Sequence, residues 1–275
     1  MLSVGAKGAS RIGGVLLFGL GVLAPLAAQT QQEAAGSIGL LNGHAQVSGA
    51  GVPAHALSKG DTIYGGDLVE TGAASYAMIR FSDQGTALLR PNTSFKVEKY
   101  HAAPATMAAG GSATPAPLAV AAAQPESVFL RLLKGGFRGV SGLIAHADYS
   151  HYSVTTPVAT MGVRGTDYEL VMCEETCQAD PTVLDALPPG ENPAGGVVSG
   201  VNEGSIVVTS STGHTMTLSA GQYGITLVDG TQYLLRALPA FLENGGAAAA
   251  GGGIAAGGAN AASSAAGGSA LASGG

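Results

Sequence analysis

Alternating apolar and polar positions are the main structural signal in the chain. Tyr76–Phe81 and Ser94–Tyr100 place apolar residues at every second position, which is typical of half-buried strands. Between such segments, Ser82–Thr86 has the composition of a turn, with Gly85 able to adopt positive φ. Short strands separated by glycine are therefore predicted from Gly36 to Tyr100. The same pattern resumes at 128–133, runs to about 172, and ends in 204–235.

Three segments break this pattern, and they divide the chain. Residues 102–125 consist almost wholly of Ala, Pro, Gly, Ser and Thr, and 180–196 are rich in proline and glycine. Such composition buries too little apolar surface to offset backbone entropy. We therefore expect a β domain over 36–236 with flexible insertions at 102–125 and 180–196. A Gly/Ala-rich tail at 237–275 is expected to be disordered.

An internal repeat connects the two ends of the predicted domain. Gly43 and Gly60 stand 17 residues apart, as do Gly204 and Gly221. A valine follows the first glycine of each pair by four residues, and a Leu-Ser pair follows it by 14 and 15. Units that are too thin to bury a face alone do so by stacking. The predicted fold is thus all-β, with stacked short strands in a β-solenoid or roll; the alternative is a β-sandwich with two similar hairpins.

The first 28 residues have the features of a secretory signal peptide. Lys7 and Arg11 precede an apolar run, Ile12–Leu23, and small residues lead to Gln29. Cleavage there would leave 29–35 as a short linker, whereas an uncleaved segment would act as an anchor helix. Loss of these two positive charges lowers the net charge from −6 to −8. An acidic chain without a later apolar stretch predicts neither nucleic-acid binding nor a membrane span.

Candidate chemistry is sparse. Cys173 and Cys177 are the only cysteines and, in an exported protein, predict a disulfide with exposed carboxylates between them. His146, Asp148 and His151 are the only local group of metal-ligand types; on a strand His151 would face away from the other two, so no metal site is expected. The sequence lacks a nucleophile-elbow, phosphate-loop or dinucleotide motif. We therefore expect a non-enzymatic protein without a cofactor.

The segment Thr156–Leu170 resembles the signature of the FecR domain, which typically shows T-P-x-A-x-x-x-V-R-G-T. Lys59–Gly72 is similar to the family's early G-D and T-G elements, and Leu133–Gly136 is similar to its central L-x-x-G. Glu203–Val208 with Ala220–Gln222 resembles its closing pattern, so the resemblance covers roughly residues 36–228. It implies an all-β periplasmic module without catalytic residues. Founding members belong to transmembrane regulators that sense a loaded iron-siderophore receptor and control a sigma factor.

The chain departs from those regulators, because only 11 residues precede its apolar run and a Gly/Ala tail replaces the receptor-binding extension. We therefore expect an exported FecR-like module in the periplasm or outer envelope of a Gram-negative bacterium. It would act as a binding or scaffold module for an envelope protein or glycan. The alternative is a periplasmic sensor of the iron-uptake, sigma-factor type that works with a separate membrane protein.

Within the signature, Val163, Arg164, Gly165 and Thr166 are interpreted as structural. Gly162 and Gly165 allow tight turns on either side of a two-residue strand, and the Arg164 guanidinium could pair with carbonyls or with Asp167 or Glu169. The alternative is that Arg164 contacts an anionic ligand.

Overall fold

The fold is given by a computed structural model that describes residues 33–49, 52–102, 126–147 and 149–242. Strands make up 56% of the structure, which confirms the all-β prediction. The signal segment 1–28, residues 103–125 of the first insertion, and 243–275 of the tail lie outside the described residues. The strands are β1 (Ala34–Asn42), β2 (Ala45–Gly49), β3 (Val52–Ala56), β4 (Thr62–Tyr64), β5 (Leu68–Thr71), β6 (Tyr76–Phe81), β7 (Thr86–Leu89), β8 (Ser94–His101), β9 (Ser127–Lys134), β10 (Gly136–Val140), β11 (Tyr152–Thr155), β12 (Ala159–Met172), β13 (Val197–Ser210), β14 (Thr215–Ser219), β15 (Tyr223–Thr226) and β16 (Gln232–Leu235).

These strands form one sheet. Its main path runs β3-β2-β5-β8-β9-β11-β12-β10-β7-β6-β1-β4, while β13 branches from β12 and pairs with β14 and β15, and β16 pairs with β15. Strand pairing is antiparallel except between β9 and β11. The twelve-strand path curls into a half-barrel, which is the roll-like form of the expected fold.

Alternation along each strand places one set of side chains inside this curl. In β6, Ala77, Ile79 and Phe81 are buried while their neighbours are not. Phe137 lies at the centre of the interior; its ring centroid is 4.9 Å from that of Phe95 and 5.8 Å from that of Tyr168, both edge-on. The core is thus made by the period-two pattern that the sequence displays.

The two repeat copies have the same local structure. One contains the antiparallel hairpin β2–β3 and the other the antiparallel pair β13–β14. All four repeat glycines, Gly43, Gly60, Gly204 and Gly221, have positive φ between 78° and 97°. The copies occupy different parts of the sheet and do not pair with each other, so what recurs is an antiparallel strand pair flanked by glycine turns.

The second insertion differs from the expectation. Three short helices are described, α1 (Leu143–Ala147), α2 (Glu175–Gln178) and α3 (Pro181–Leu184), and α3 lies inside 180–196. The Asp180 side chain accepts a hydrogen bond from Thr182 N at 2.8 Å, and Pro181 occupies the first turn. Val183 is fully buried in a second apolar cluster with Val198 and Ile225. This part of the insertion therefore contributes to a core.

The folded region is also longer at both ends than 36–236. β1 begins at Ala34, and the Glu33 carboxylate lies 2.7 Å from His101 Nδ1, so part of the expected linker belongs to the sheet. Leu242 is buried in the second cluster, and Arg90 Nη1 donates to the carbonyl of Phe241 at 2.8 Å. Within the described ranges, no helix has the length and apolar character that crossing a membrane requires.

Candidate functional site

The V-R-G-T block forms a bend in the long β12–β13 hairpin. Val163 is fully buried, whereas Gly165 has φ of +58° and faces Gly204, which has φ of +81°. The pairing register shifts between Arg164 and Asp167, as in a β-bulge. A Cβ at Gly204 would lie 2.5 Å from the carbonyl oxygen of Gly165. Both glycines are therefore required by the backbone geometry of the bend.

Thr166 completes this bend by bonding to groups that the bulge leaves unpaired. Its hydroxyl lies 2.9 Å from the carbonyl oxygens of both Arg164 and Ser205 and can donate to either. Its backbone N–H donates to Ser141 Oγ at 2.7 Å. Because Thr166 is only 3% exposed, these bonds take the place of bonds to water at its hydroxyl and N–H groups.

The bend brings distant parts of the hairpin together. Gln232 Nε2 donates to the carbonyl of Val208 at 3.2 Å. Gln232 is paired with Thr226, and Thr226 is paired with Val197, so this contact joins Val208 to the opposite end of β13. A straight strand would separate Val197 from Val208 by about 36 Å, at about 3.3 Å per residue. The contact therefore requires β13 to fold back, and Gly204 lies between its two halves.

The carboxylates proposed from the sequence as partners of Arg164, those of Asp167 and Glu169, are bonded to other arginines. The Arg164 side chain is exposed. The Asp167 carboxylate instead accepts two bonds from Arg138, at 2.9 Å from Nε and 2.5 Å from Nη2, and this bonding raises the pKa of Arg138. Glu169, which is buried, pairs with Arg90. The interlayer ion pairs thus exist, but two other arginines make them.

The predicted disulfide between Cys173 and Cys177 is confirmed, with a Cα–Cα distance of 5.0 Å. Both cysteines are buried in the second apolar cluster, and Glu174 and Glu175 are exposed between them as expected. The disulfide lies where β12 leaves the sheet for α2, so it fixes the start of the helical insertion.

The region around His146 is not a strand. α1 ends at Ala147 and a 3₁₀ turn covers Tyr149–His151, so the strand geometry used to separate His151 from His146 is wrong. Asp148 lies outside the described residues. Among the residues that are described, no group of three or more His, Cys, Asp or Glu is placed to hold a metal ion.

A polar groove, which sequence analysis missed, crosses the outward face of the sheet. Gln46, Glu70, Ser94 and Lys134 stand directly opposite one another on β2, β5, β8 and β9. The groove has a volume of about 500 Å³ and an open mouth. Its other lining residues are His44, Ala45, Ala54, His55, Ala56, Thr71, Gly72, Asn92 and Thr93.

The Glu70 carboxylate is held in place at the centre of this groove. Gln46 Nε2 donates to its Oε2 at 2.9 Å, and Ser94 Oγ donates to its Oε1 at 3.2 Å. Each carboxylate oxygen has further lone pairs to offer a ligand. Lys134 supplies a positive charge at one end of the row, so the floor presents both signs of charge.

One wall of the groove is a sheet edge. β3 ends the main path, and only β2 pairs with it among the described strands. Leu57 N donates to the carbonyl of Ala45, so the peptide groups of Ala54 and Ala56 face away from β2 by the alternation of antiparallel pairing. The groove therefore combines free backbone donors and acceptors with a fixed carboxylate.

The buried tyrosines inside the curl lack such access. Tyr152 and Tyr168 are linked through their hydroxyls at 3.1 Å, and burial raises the pKa of both. Tyr100 OH accepts from Asp83 N at 2.8 Å, and burial raises its pKa also. These hydroxyls remain neutral and join strands across the core.

Comparison with known proteins gives limited similarity. No family model and no curated protein matches the chain. Two crystal structures of a "putative anti-sigma factor" from Parabacteroides distasonis ATCC 8503 match with TM-scores of 0.39 and 0.40 and identities of 12% and 10%. Each match covers 62% of this chain and 59% of the other. At these values, function has to be argued from the residues of this chain.

Proposed function

We propose that the chain is a non-enzymatic, exported FecR-like module that binds a partner protein in the cell envelope. The observation that carries this proposal is the groove over Gln46, Glu70, Ser94 and Lys134. The V-R-G-T block has a structural explanation in the bend, so the groove is the better candidate for recognition. The signal-like first 28 residues support export.

The chemistry of the groove suits an extended polypeptide. Backbone groups on the open edge of β3 can pair with an added strand, as in recognition by β-strand addition. A polypeptide that extends from this edge across the groove can meet Glu70 with a basic side chain and Lys134 with an acidic one, because both residues line the groove. A neutral ligand would leave these charges without counterparts, which favours a polypeptide over a neutral glycan at this site.

A photoreactive amino acid at position 46 tests this proposal. Ultraviolet light applied to cells that export the full chain should give an adduct with a specific envelope protein. The same amino acid at Asp229, an exposed turn residue, is the control and should not give it. No adduct at position 46, or the same adduct at both positions, would contradict the proposal.

The identity of the adduct separates two roles. An outer-membrane or wall-associated protein indicates a scaffold, whereas an inner-membrane regulator indicates the alternative of a periplasmic sensor. N-terminal sequencing of the exported protein should show a start near Gln29; an intact Met1 in envelope fractions would indicate a membrane anchor instead.

A further inference from the structure

A second polar surface lies on the outward side of β11, β12, β13 and β14. Thr155, Thr160, Thr209 and Thr215 stand directly opposite one another on these four strands. The adjacent row is made in the same way by Ser153, Gly162, Val207 and Thr217. We name these eight positions the threonine face.

The threonine face is backed by a rigid core. Val154, Met161 and Val208 lie between the outward residues along their strands, and each is fully buried. Alternation along a strand therefore directs the hydroxyls away from the core. In the described part of the chain, no hydrogen bond to another residue occupies the side-chain hydroxyls of Thr160, Thr209 or Thr215.

The threonine face carries no charge, although the chain has 18 acidic residues. Charged residues lie just outside it: Arg131 is in register with Thr155, and Arg131 pairs with Glu98. Arg164 follows Gly162 on the same side of β12. Strand propensity explains each threonine singly. It does not explain why charged side chains, which occupy the outward positions of the neighbouring strands β8 and β9, are absent from all eight positions.

The face is also slightly concave. A depression of about 540 Å³ lies over Gly162, which has no side chain, and is bordered by Ser150, Ser153, Thr160, Val207 and Thr209. Its hydroxyls recur at about 4.8 Å across the four strands, and at about 6.8 Å along β11 and β14. A shallow depression of this kind can hold a chain laid flat along the rows.

We propose that the threonine face binds a neutral polysaccharide chain. Each threonine hydroxyl can donate one hydrogen bond and accept two, which matches the hydroxyls of sugar units. The threonine methyl groups and Val207 offer apolar contact to the faces of the sugar rings. None of the eight positions offers a charge to pair with a charged ligand, and an apolar protein surface would leave the hydroxyls unpaired at a cost in free energy. This site is separate from the groove and goes beyond the proposed protein partner.

Co-sedimentation of the full chain with microcrystalline cellulose and with chitin tests the proposal. The double variant Thr160→Val and Thr209→Val removes two central hydroxyls and keeps side-chain shape and strand propensity. The matched control, Thr62→Val with Thr86→Val, makes the same change on β4 and β7. Thermal unfolding of all three proteins verifies that each is folded.

The parent and the control should sediment with at least one of the two polymers, and the double variant should bind it at least about tenfold more weakly, as expected for two lost hydrogen bonds. Failure of the parent to bind either polymer would overturn the proposal, as would equal binding by the double variant. So would a parent dimer that the double variant dissociates, because the face would then be an interface between copies. Glu70→Lys, which alters only the groove, should leave sedimentation unchanged.

Discussion

Replacing Gly204 by alanine tests the bend in the β12–β13 hairpin. Gly204 has φ of +81°, and a Cβ there would lie 2.5 Å from the carbonyl oxygen of Gly165. The left-handed backbone costs an alanine about 1–2 kcal/mol. The collision is with backbone, which has to shift, and such overpacking adds about 1–3 kcal/mol. We expect Gly204→Ala to lower the free energy of unfolding by about 2–5 kcal/mol.

Gly213→Ala is the matched control for this experiment. Gly213 has a similar φ of +88°, but a Cβ there would meet nothing within 4 Å. Gly213→Ala should show only the cost of placing an alanine in left-handed backbone. The destabilisation of Gly204→Ala should exceed it by about 1–3 kcal/mol, and this difference measures the collision at the bend. Urea denaturation with the disulfide intact measures both. Equal destabilisation of the two variants would refute the argument that Gly165 and Gly204 are forced together by the bend.

Three further predictions concern a buried ion pair, the disulfide and a buried carboxylate. Glu169→Gln should lower the free energy of unfolding, measured in urea, by about 3 kcal/mol. This is near the lower end for a broken buried ion pair, because the carbonyl of Phe241 still accepts from Arg90. A change below about 1 kcal/mol would contradict this. Replacing Cys173 and Cys177 by alanine should cost about 2 kcal/mol from the small loop, and an unchanged melting temperature would contradict that. Burial raises the pKa of Asp67, so the stability that this residue contributes is greatest below its ordinary pKa and falls as the pH rises through the raised value. Asp67→Asn should therefore be at least as stable as the parent at pH 7. Melting temperatures at pH 4–7 should fall with rising pH in the parent and lack this decline in the variant.

Local patterns predicted the strands well because burial alternates with period two. The equal spacing of Gly43–Gly60 and Gly204–Gly221 likewise indicated equivalent turns, and all four residues have positive φ. The helical turn at 181–184 also had a readable signal, since Asp180 followed by Pro181 is a typical helix start. The proline-rich composition of 180–196 concealed it.

Long-range register could not be predicted in the same way. Asp167 and Glu169 lie close to Arg164 in sequence, yet their partners are 29 and 79 residues away. The groove joins residues from five strands, and a shift of one residue in any strand pairing would move side chains to the other face of the sheet. Such registers depend on the whole curled sheet, so the candidate site becomes visible only in the structure.

The central claim is that recognition occurs in the groove and that the V-R-G-T block is structural. The most direct test is the yield of the cross-linked adduct from position 46 in Glu70→Lys and in Arg164→Ala, with melting temperatures measured alongside. We predict that Glu70→Lys loses the adduct while the fold remains intact, because Glu70 lines the groove at the sheet surface. Arg164→Ala should retain it. Retention of the adduct in Glu70→Lys together with its loss in a fully folded Arg164→Ala would contradict the account and identify Arg164 as a ligand contact.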